Sequence, residues 1–431
     1  MERERTIQFL MAVLLTIGMS CLAHADALGL LKAGLAARIR GDFGAAVKLY
    51  TQAIDTGSLS DANRAAVLAS RGVAYDMIGE TDRAIDDFDT AIRLAPDSGT
   101  TYIYRGRAWA KRREFSRAIV DFNEAIRRDP SYAFLALNNL GNVDEEIGEH
   151  DRAIENYGRA IELNPGYVPA YYNRAGAHYA KADYDQAIED YGRAIQLKPN
   201  YADAFNNRGV AYLAKGAVDK AITDFGAAIR LNPNNVAAVV NRGHFYAAHG
   251  QFELADVDFS SAIKLKPDIG RLYVDRGRAK LYLGQTEAAI SDLTTAIRLN
   301  PSDIYAVIWL HLAHVRATVD DLHELMRNSA NIDHKKWPGP IVDLHLGATN
   351  PETVSTAGLS NIDTKARPER VCEVEFYLGT FYLEHDDRVE AKRRLEAAAN
   401  ACPRSLIERG AAKVELIRLQ SIRSTALPGI D

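Results

Sequence analysis

Residues 151–165 read DRAIENYGRAIELNP, and residues 185–199 read DQAIEDYGRAIQLKP, which is the same pattern one period later. Its Ala-Ile pair also occurs elsewhere in the chain, at 84–85, 118–119, 221–222 and 289–290. Prolines recur in step at a nearly constant interval, at Pro96, Pro130, Pro165, Pro199, Pro233, Pro267 and Pro301. A fixed period of this length over most of a chain indicates a repeat architecture.

Each unit contains two short runs with apolar residues at i, i+3, i+4 and i+7, which predicts two amphipathic helices. A small residue on the first helix lets the two backbones approach closely, and a large side chain on the second helix fills the space beside it. Proline then ends the second helix, because it lacks an N–H and restricts the residue before it. The small residues are Gly72, Gly106, Gly141, Ala175, Gly209, Gly243 and Gly277. The large residues are Phe88, Phe122, Tyr157, Tyr191, Phe225, Phe259 and Leu293.

This pattern resembles the tetratricopeptide repeat (TPR) at its small, aromatic and proline positions. The match recurs seven times in register, and further units surround Gly34 and Gly379. The resemblance implies an all-α solenoid of helical hairpins, a right-handed superhelix of about nine repeats whose first helices line a concave groove. The predicted segments are an array of eight repeats over 27–303, a degenerate repeat with short helices and a loop over 304–371, a last repeat over 372–405, and a capping helix and tail over 406–431.

Composition and motifs argue against an enzyme. The chain has 431 residues and a formal charge of −5, from 52 Lys+Arg and 57 Asp+Glu. No basic stripe is visible, so nucleic acid is not an expected partner. Only the segment 304–371 falls outside recognisable repeats within the array, and such a segment is too small for most enzyme domains. The sequence has no P-loop, no G-x-S-x-G and no dinucleotide fingerprint, so we expect no catalysis and no cofactor.

Three histidines lie close together in the fading repeat, at His311, His314 and His323. The i, i+3 spacing places the first two on one face of a helix. No third ligand follows at a fixed spacing, and the residues after His323 lack the second histidine of a metalloprotease helix. We therefore predict no metal site from the sequence.

Residues 1–25 have the features of a secretory signal peptide. Two arginines precede an apolar run over 7–23, and the sequence Ala-His-Ala at 23–25 fits a cleavage site. Cleavage after Ala25 would place the mature protein in the periplasm of a Gram-negative bacterium. Two alternatives stay open. Lipidation at Cys21 would anchor the protein to the envelope membrane, although the preceding residues fit a bacterial lipobox poorly. The second alternative is that residues 1–25 stay uncleaved as a membrane anchor, although the apolar run is short for a helix that spans a bilayer.

One asparagine position recurs in four consecutive repeats, two residues before the small Gly or Ala, at Asn139, Asn173, Asn207 and Asn241. Their constant spacing should align them along the groove. An Asn amide both donates and accepts hydrogen bonds, so it can pair with a peptide backbone of any sequence, and some TPR proteins use an asparagine ladder in this way. A packing or solubility role is the alternative. Variable positions of the first helices add four candidate peptide contacts, which are Tyr172, Tyr179, His244 and Arg278.

An arginine follows the asparagine position, or its equivalent, in six repeats, at Arg71, Arg105, Arg174, Arg208, Arg242 and Arg276. These side chains could hold acidic peptides. We instead expect them to bridge neighbouring repeats, because guanidinium groups suit pairing with carboxylates. The expected partners are aspartates of the second helices, such as Asp87, Asp121, Asp190 and Asp224.

The repeat pattern fades from Ile304. Residues 304–327 still predict two helices, followed by a short helix over 341–346 and a loop over 361–369. The order Lys-Trp-Pro at 336–338, IVDLHLG at 341–347 and FYLG at 376–379 resembles the C-terminal half of the NlpI family of bacterial envelope TPR lipoproteins. That resemblance implies an adaptor that brings a periplasmic protease to peptidoglycan hydrolases. This chain has more repeats and a poor lipobox, so the resemblance leaves membrane anchoring and the identity of the partners open.

We therefore predict a non-catalytic scaffold or adaptor of the bacterial cell envelope, which binds peptides or partner proteins in its groove. One alternative is an assembly factor or chaperone for a secreted or outer-membrane complex. Another is an enzyme with an unrecognised site in 304–371. The sequence also leaves open whether the protein forms a homodimer through the edge helices of the solenoid.

Two cysteines remain after cleavage of the signal peptide. Cys372 is expected to open the first helix of the last repeat and Cys402 to end the second, which would make them neighbours in an antiparallel hairpin. An exported protein meets an oxidising compartment, so we expect a disulfide between them. Two buried free thiols are the alternative. The following residues, 406–419, predict an amphipathic helix that covers the last apolar face of the solenoid.

Overall fold

The computed structural model describes residues 26–360, 362–364, 366–403 and 406–425, and for 421–425 the backbone alone. The described residues form helices and turns without a strand, which confirms the all-α prediction. None of the described helices combines the length and apolar character that a bilayer span requires. The predicted signal peptide lies outside the described residues. The chain divides into two compact units, Met1–Leu197 (unit 1) and Lys198–Asp431 (unit 2).

Unit 1 contains five consecutive helical hairpins. Its helices are α1 (26–39), α2 (Phe43–Asp55), α3 (Asp61–Met77), α4 (Thr81–Leu94), α5 (Gly99–Lys111), α6 (Phe115–Arg128), α7 (Ala133–Glu146), α8 (His150–Leu163), α9 (Val168–Ala180) and α10 (Tyr184–Leu197). A 3₁₀ turn, Pro130–Tyr132, precedes α7. Each odd-numbered helix from α3 onward packs against the even-numbered helix that follows it.

Unit 2 begins with three regular hairpins and then departs from the pattern. Its helices are α11 (Ala202–Ala214), α12 (Val218–Leu231), α13 (Val236–Ala248), α14 (Phe252–Leu265), α15 (Gly270–Tyr282), α16 (Thr286–Leu299), α17 (Ile304–Arg316), α18 (Leu322–Ser329), α19 (Gly339–His345), α20 (Pro351–Leu359), α21 (Arg367–Glu384), α22 (Arg388–Ala401) and α23 (Ile407–Thr425). The last regular hairpin consists of α21 and α22, and α23 packs against α22, α13 and α21.

The small residues of the repeat allow the close approach that the sequence predicts. A Cβ atom added to Gly141 on α7 would lie 2.5 Å from the ring of Tyr157 on α8, and one added to Gly72 would lie 2.6 Å from the ring of Phe88. Both rings are almost fully buried. Burying a large aromatic side chain removes much apolar surface from water, so the ring stabilises each hairpin that has an aromatic residue at this position.

The six repeat-position arginines form a series of bidentate pairs within the hairpins. Each donates through Nε and Nη2 to the aspartate 16 residues later, at 2.6–2.9 Å, in the pairs Arg71–Asp87, Arg105–Asp121, Arg174–Asp190, Arg208–Asp224, Arg242–Asp258 and Arg276–Asp292. The expected pairing with aspartates of the second helices is confirmed. The expectation that this pairing bridges neighbouring repeats was wrong, because both partners belong to one hairpin. Paired guanidinium forks are also not free to hold acidic peptides.

A third nitrogen of some of these arginines does reach the preceding hairpin. Nη1 of Arg105 donates to Asp89 at 2.6 Å, and Nη1 of Arg71 donates to Thr51 at 3.0 Å. Among the hairpins from α3 to α16, one lacks the pair altogether, because Leu140 occupies the arginine position and Asn156 the aspartate position. The two partners are absent together, as expected if a lone buried carboxylate is unfavourable.

The degenerate repeat builds a large aromatic core in unit 2. Trp309 on α17 is fully buried and stacks on Phe376 of α21, with ring centroids 5.6 Å apart. Its Nε1 donates to the hydroxyl of Tyr377 at 3.1 Å. Around this core α18, α19 and α20 are short helices of eight, seven and nine residues.

Cys372 and Cys402 form a disulfide that links α21 to the end of α22, with an S–S distance of 1.98 Å. The helix boundary differs from the expectation, because α21 starts at Arg367, inside the expected loop, with Pro368 in its first turn. Proline suits the first turn of a helix because the missing N–H has no intrahelical partner there. Cys372 is therefore the sixth residue of α21 and is fully buried.

Candidate functional site

In unit 1 the first helices of successive hairpins lie side by side. α3 contacts α5, α5 contacts α7 and α7 contacts α9, whereas the second helices of adjacent hairpins approach one another less closely. The first-helix side is therefore the more tightly curved side, as expected for stacked hairpins. The surface formed by α3, α5, α7 and α9 is termed the inner face.

Asn139 and Asn173 lie on first helices of unit 1 and are half-buried. Nδ2 of Asn139 donates to the carbonyl of Leu135 at 2.8 Å, within α7. Nδ2 of Asn173 donates to Oδ1 of Asn138 at 3.1 Å and to Oδ1 of Asn142 at 3.0 Å. This second amide therefore links α9 to α7.

The two asparagines of unit 2 belong to a similar chain of amides. Nδ2 of Asn241 donates to Oδ1 of Asn206 at 3.0 Å, which links α13 to α11. Nδ2 of Asn206 donates to Oδ1 of Asn207 at 3.0 Å. Amide groups of the predicted ladder thus already bond to other protein atoms, and their contact with a peptide backbone stays a prediction.

A cavity of about 440 Å³ opens on the inner face between α5, α6 and α7. Asn139 lines it together with Asn142, and three exposed cationic residues lie around it, Arg107, Lys111 and Arg113. Its lining also includes Phe115, Phe122, Val143 and Glu146. The cavity therefore combines amides, an apolar floor and an excess of positive charge.

Two of these cations have acidic neighbours within unit 1. Nζ of Lys111 lies 2.9 Å from Oδ1 of Asp76, and Nη1 of Arg113 lies 3.6 Å from Oε2 of Glu146. Both cations are exposed, and exposed pairs contribute little stability. The cations can therefore exchange these partners for a carboxylate of a bound chain at small cost.

The predicted tyrosines Tyr172 and Tyr179 both pack against α10. The ring centroid of Tyr172 lies 5.6 Å from that of Tyr191, and the ring centroid of Tyr179 lies 5.4 Å from that of Tyr184. Tyr179 is the more exposed of the two, with 36% of its surface accessible. Both stay candidate contacts.

His244 on α13 is half-exposed and bonds to a buried carboxylate. Its Nε2 lies 2.9 Å from Oδ2 of Asp275, and its ring packs near Phe259. Burial raises the pKa of Asp275, but His244, Arg271 and Arg278 outweigh burial and hold that pKa at about 2. Asp275 is thus a carboxylate at neutral pH, and it orients the imidazole.

The prediction that Arg278 contacts a peptide was wrong, because this side chain is only 3% exposed. Its Nη2 bonds to the carboxylate of Glu408 on α23, and its guanidinium carbon lies 4.6 Å from the centroid of the Trp309 ring. The C-terminal helix therefore covers this part of the first-helix surface.

Helix α23 does more than cover the last apolar face. It lies against α13 as well as α21 and α22, and a Cβ atom on Gly410 would lie 2.2 Å from the carbonyl oxygen of Ala247. A second ion pair joins Glu415 to Arg316 on α17. The first-helix surface of α13, α15 and α17 is thus occupied by a segment of the same chain.

We expect Gly410→Ala to loosen α23, because the atoms that a Cβ would meet are backbone atoms of Ala247, Ala248 and Gly250, which cannot move aside. Overpacking of this kind costs about 1–3 kcal/mol. Hydrogen exchange of the α23 amides should become faster. The control is Gly226→Ala on α12, where the nearest atom to an added Cβ is the flexible Arg230 Nη1 at 3.5 Å. Equal exchange in both variants would contradict the close docking of α23.

Sequence reasoning missed the docking of α23 on the first helices. The available signals were the run of small residues Gly410-Ala411-Ala412 and the pair of glutamates Glu408 and Glu415. Small residues allow close helix packing, and the i, i+7 spacing of the glutamates places both carboxylates on one helix face. Neither signal specifies which helix is the partner.

Family models of the tetratricopeptide repeat match residues 31–99, 70–133, 141–182, 177–216, 202–235 and 270–303, which together cover more than half of the chain. The chain belongs to the tetratricopeptide-repeat family. TPR arrays bind proteins or peptides, so the chain is a protein–protein interaction scaffold, on a fold that is generally non-catalytic.

Relatives share parts of this TPR array. The probable UDP-N-acetylglucosamine–peptide N-acetylglucosaminyltransferase SPINDLY of Hordeum vulgare is 27% identical over 142 residues, 32% of this chain and 15% of that protein. The similarity therefore spans a small part of that relative's length. The solved structure of MamA is 26% identical with a TM-score of 0.35, covering 39% of this chain and 92% of MamA. The C-terminal part of a TPR protein of Cytophaga hutchinsonii is 17% identical with a TM-score of 0.44. The match covers 55% of this chain and 95% of that structure.

Proposed function

We propose that this TPR protein is an exported scaffold that binds an extended, acidic segment of a partner protein on the inner face of unit 1. The observation that carries the proposal is the cavity between α5, α6 and α7, in which Asn139 and Asn142 lie beside Arg107, Lys111 and Arg113. Amides can pair with the backbone of an extended chain, and the cations attract its carboxylates.

The inner face of unit 1 offers this surface, whereas part of the first-helix surface of unit 2 is already covered. α23 lies against α13 there, and the Arg278 side chain is used by Glu408. An incoming peptide would have to displace a helix held by the buried Arg278–Glu408 pair and the partly buried Arg316–Glu415 pair. We therefore assign peptide binding to unit 1.

We further propose that the protein works in the periplasm as an adaptor that brings a protease to peptidoglycan hydrolases. Three features support this proposal. They are the signal-like residues 1–25, the disulfide between Cys372 and Cys402, which suits an oxidising compartment, and the resemblance of 336–347 and 376–379 to the NlpI family. An assembly factor for one client is the competing outcome.

The test uses the mature chain from Asp26 as bait in envelope extract, with peptides from each retained protein then measured by fluorescence anisotropy. We expect Arg107→Glu with Lys111→Glu to weaken binding of acidic peptides at least about tenfold, because hydrogen bonds to charged groups are worth about 1.5–3 kcal/mol. Asn139→Ala should weaken it as well. Asn139 is preferred to Asn173 because its amide bonds within its own helix, so its loss leaves the hairpins joined.

The matched control is Arg93→Glu with Arg127→Glu, two exposed residues on the second helices α4 and α6. This variant changes the net charge equally but leaves the inner face intact, so it should bind as the wild type does. Equal loss in both variants would refute the assignment to the inner face. Retention of several folded proteases and hydrolases supports the adaptor, and retention of one unfolded client supports the assembly factor.

A further inference from the structure

Three helices of unit 2 bring metal-binding atoms together. His311 lies on α17, His345 is the last residue of α19, and Glu384 is the last residue of α21. His311 Nε2 lies 3.0 Å from His345 Nδ1, which lies 2.9 Å from Glu384 Oε2. His311 Nε2 lies 3.6 Å from Glu384 Oε1. Within the described part of the chain, these side chains form a cluster of the kind that holds a metal ion.

These separations fit the ligands of a tetrahedral zinc site. Zinc binds histidine nitrogen and carboxylate oxygen at about 2.0–2.2 Å, so the edges of a tetrahedron of such ligands are about 3.3 Å long. Two imidazoles and one carboxylate form a donor set that zinc uses in proteins. The imidazole side chains are nearly buried, with 6% of His311 and 1% of His345 exposed, so their positions are well defined by packing.

Neighbouring groups orient the two rings. Nδ1 of His311 lies 2.9 Å from Oδ1 of Asp321, a carboxylate that accepts its proton and leaves Nε2 facing the cluster. A carboxylate behind a ligating histidine is a common feature of zinc sites. Nε2 of His345 is buried and makes no hydrogen bond to any described residue, so Nδ1 is the nitrogen through which this ring acts.

We propose that His311 Nε2, His345 Nδ1 and the Glu384 carboxylate bind one Zn²⁺ ion, which joins α17, α19 and α21. A water molecule completes the coordination. A cavity of about 190 Å³ adjoins the Glu384 carboxylate, and its lining also includes Thr380 and Leu383. This site is independent of the peptide-binding surface, which lies in unit 1.

The test begins with the full mature chain, stripped with a chelator and then titrated with Zn²⁺ against a chromophoric competitor. We expect one ion per chain with submicromolar affinity. Glu384→Gln and His345→Gln should each weaken binding by on the order of 100-fold or more, because even loss of a group behind a ligand commonly costs 10–100-fold. The control His323→Gln removes an exposed histidine of α18 outside the cluster, so it should bind like the wild type.

A second measurement covers the case in which a variant fails to fold. Co²⁺ added to the stripped wild-type chain should give the intense visible absorption of a tetrahedral nitrogen and oxygen site. Zn²⁺ should also raise the midpoint of thermal unfolding of the wild type, since a ligand that binds the native state stabilises it. Absence of stoichiometric binding in the wild type, or equal affinity in His345→Gln and His323→Gln, would overturn the proposal.

Discussion

Arg278→Met is expected to lower the free energy of unfolding of unit 2 by about 3–5 kcal/mol, because it leaves a buried charge without its partner. Arg278 and Glu408 are each 3% exposed, and they bond to each other although they lie far apart in the sequence. The substitution also removes the cation that lies over the Trp309 ring. Circular dichroism measured over a series of urea concentrations would give the free energy of unfolding of both proteins.

The control for this prediction removes both charges. Arg278→Met combined with Glu408→Leu should recover most of the loss, since a buried ion pair is often replaced by apolar residues at little cost. A single variant as stable as the wild type would mean that Glu408 is solvated, and hence that α23 does not lie against α15. Comparison with Gly410→Ala then separates the effect of the charge from the effect of helix docking.

Replacing both Cys372 and Cys402 with alanine is expected to cost about 3–4 kcal/mol of unfolding free energy, which is the chain-entropy estimate for a loop of this length. The disulfide joins cysteines with a sequence separation of 30. The hairpin of α21 and α22 contributes part of the aromatic core. Loss of the disulfide should therefore weaken the packing around Trp309. Chemical unfolding of the oxidised protein and the double variant provides the measurement.

A comparison with the reduced wild-type protein separates two contributions to this effect. Both cysteines are buried, so alanine also removes packing atoms, whereas a reductant opens the bond and keeps the side chains. We expect reduction to account for most of the loss. Two free thiols in the exported, unreduced protein, measured by mass spectrometry, would show instead that the cysteines do not form the bond.

The regular hairpins could be predicted because each depends on residues close in sequence. The small residue on one helix and the large residue on the next, such as Gly141 and Tyr157, meet in the structure as expected. The arginine and aspartate positions could also be identified, but their spacing along the chain did not show that the pair closes one hairpin instead of joining two. Whether an arginine pairs with an aspartate of its own hairpin or of the next one depends on how each helix is rotated about its axis. The repeat pattern alone does not determine that rotation.

The candidate sites were predicted less completely. Asn139 lies at a cavity of the inner face, but the cations beside it, Arg107 and Lys111, occupy positions that the repeat pattern does not mark. His311 was singled out, whereas His345 and Glu384 were not, since they lie on other helices with no ligand spacing between them. Contacts between distant segments follow from how the helices pack.

The sequence by itself determined the all-α hairpin architecture and the family, because a constant period repeats the same local packing many times over. Tertiary structure alone decided the place of α23, the burial of Arg278 and the meeting of His311 with Glu384. Those contacts occur once each, between segments far apart in the chain, so no repetition reveals them. They arise because the degenerate repeat and the final helix must bury their apolar surfaces. They do so against the helix surfaces that the regular repeats leave exposed.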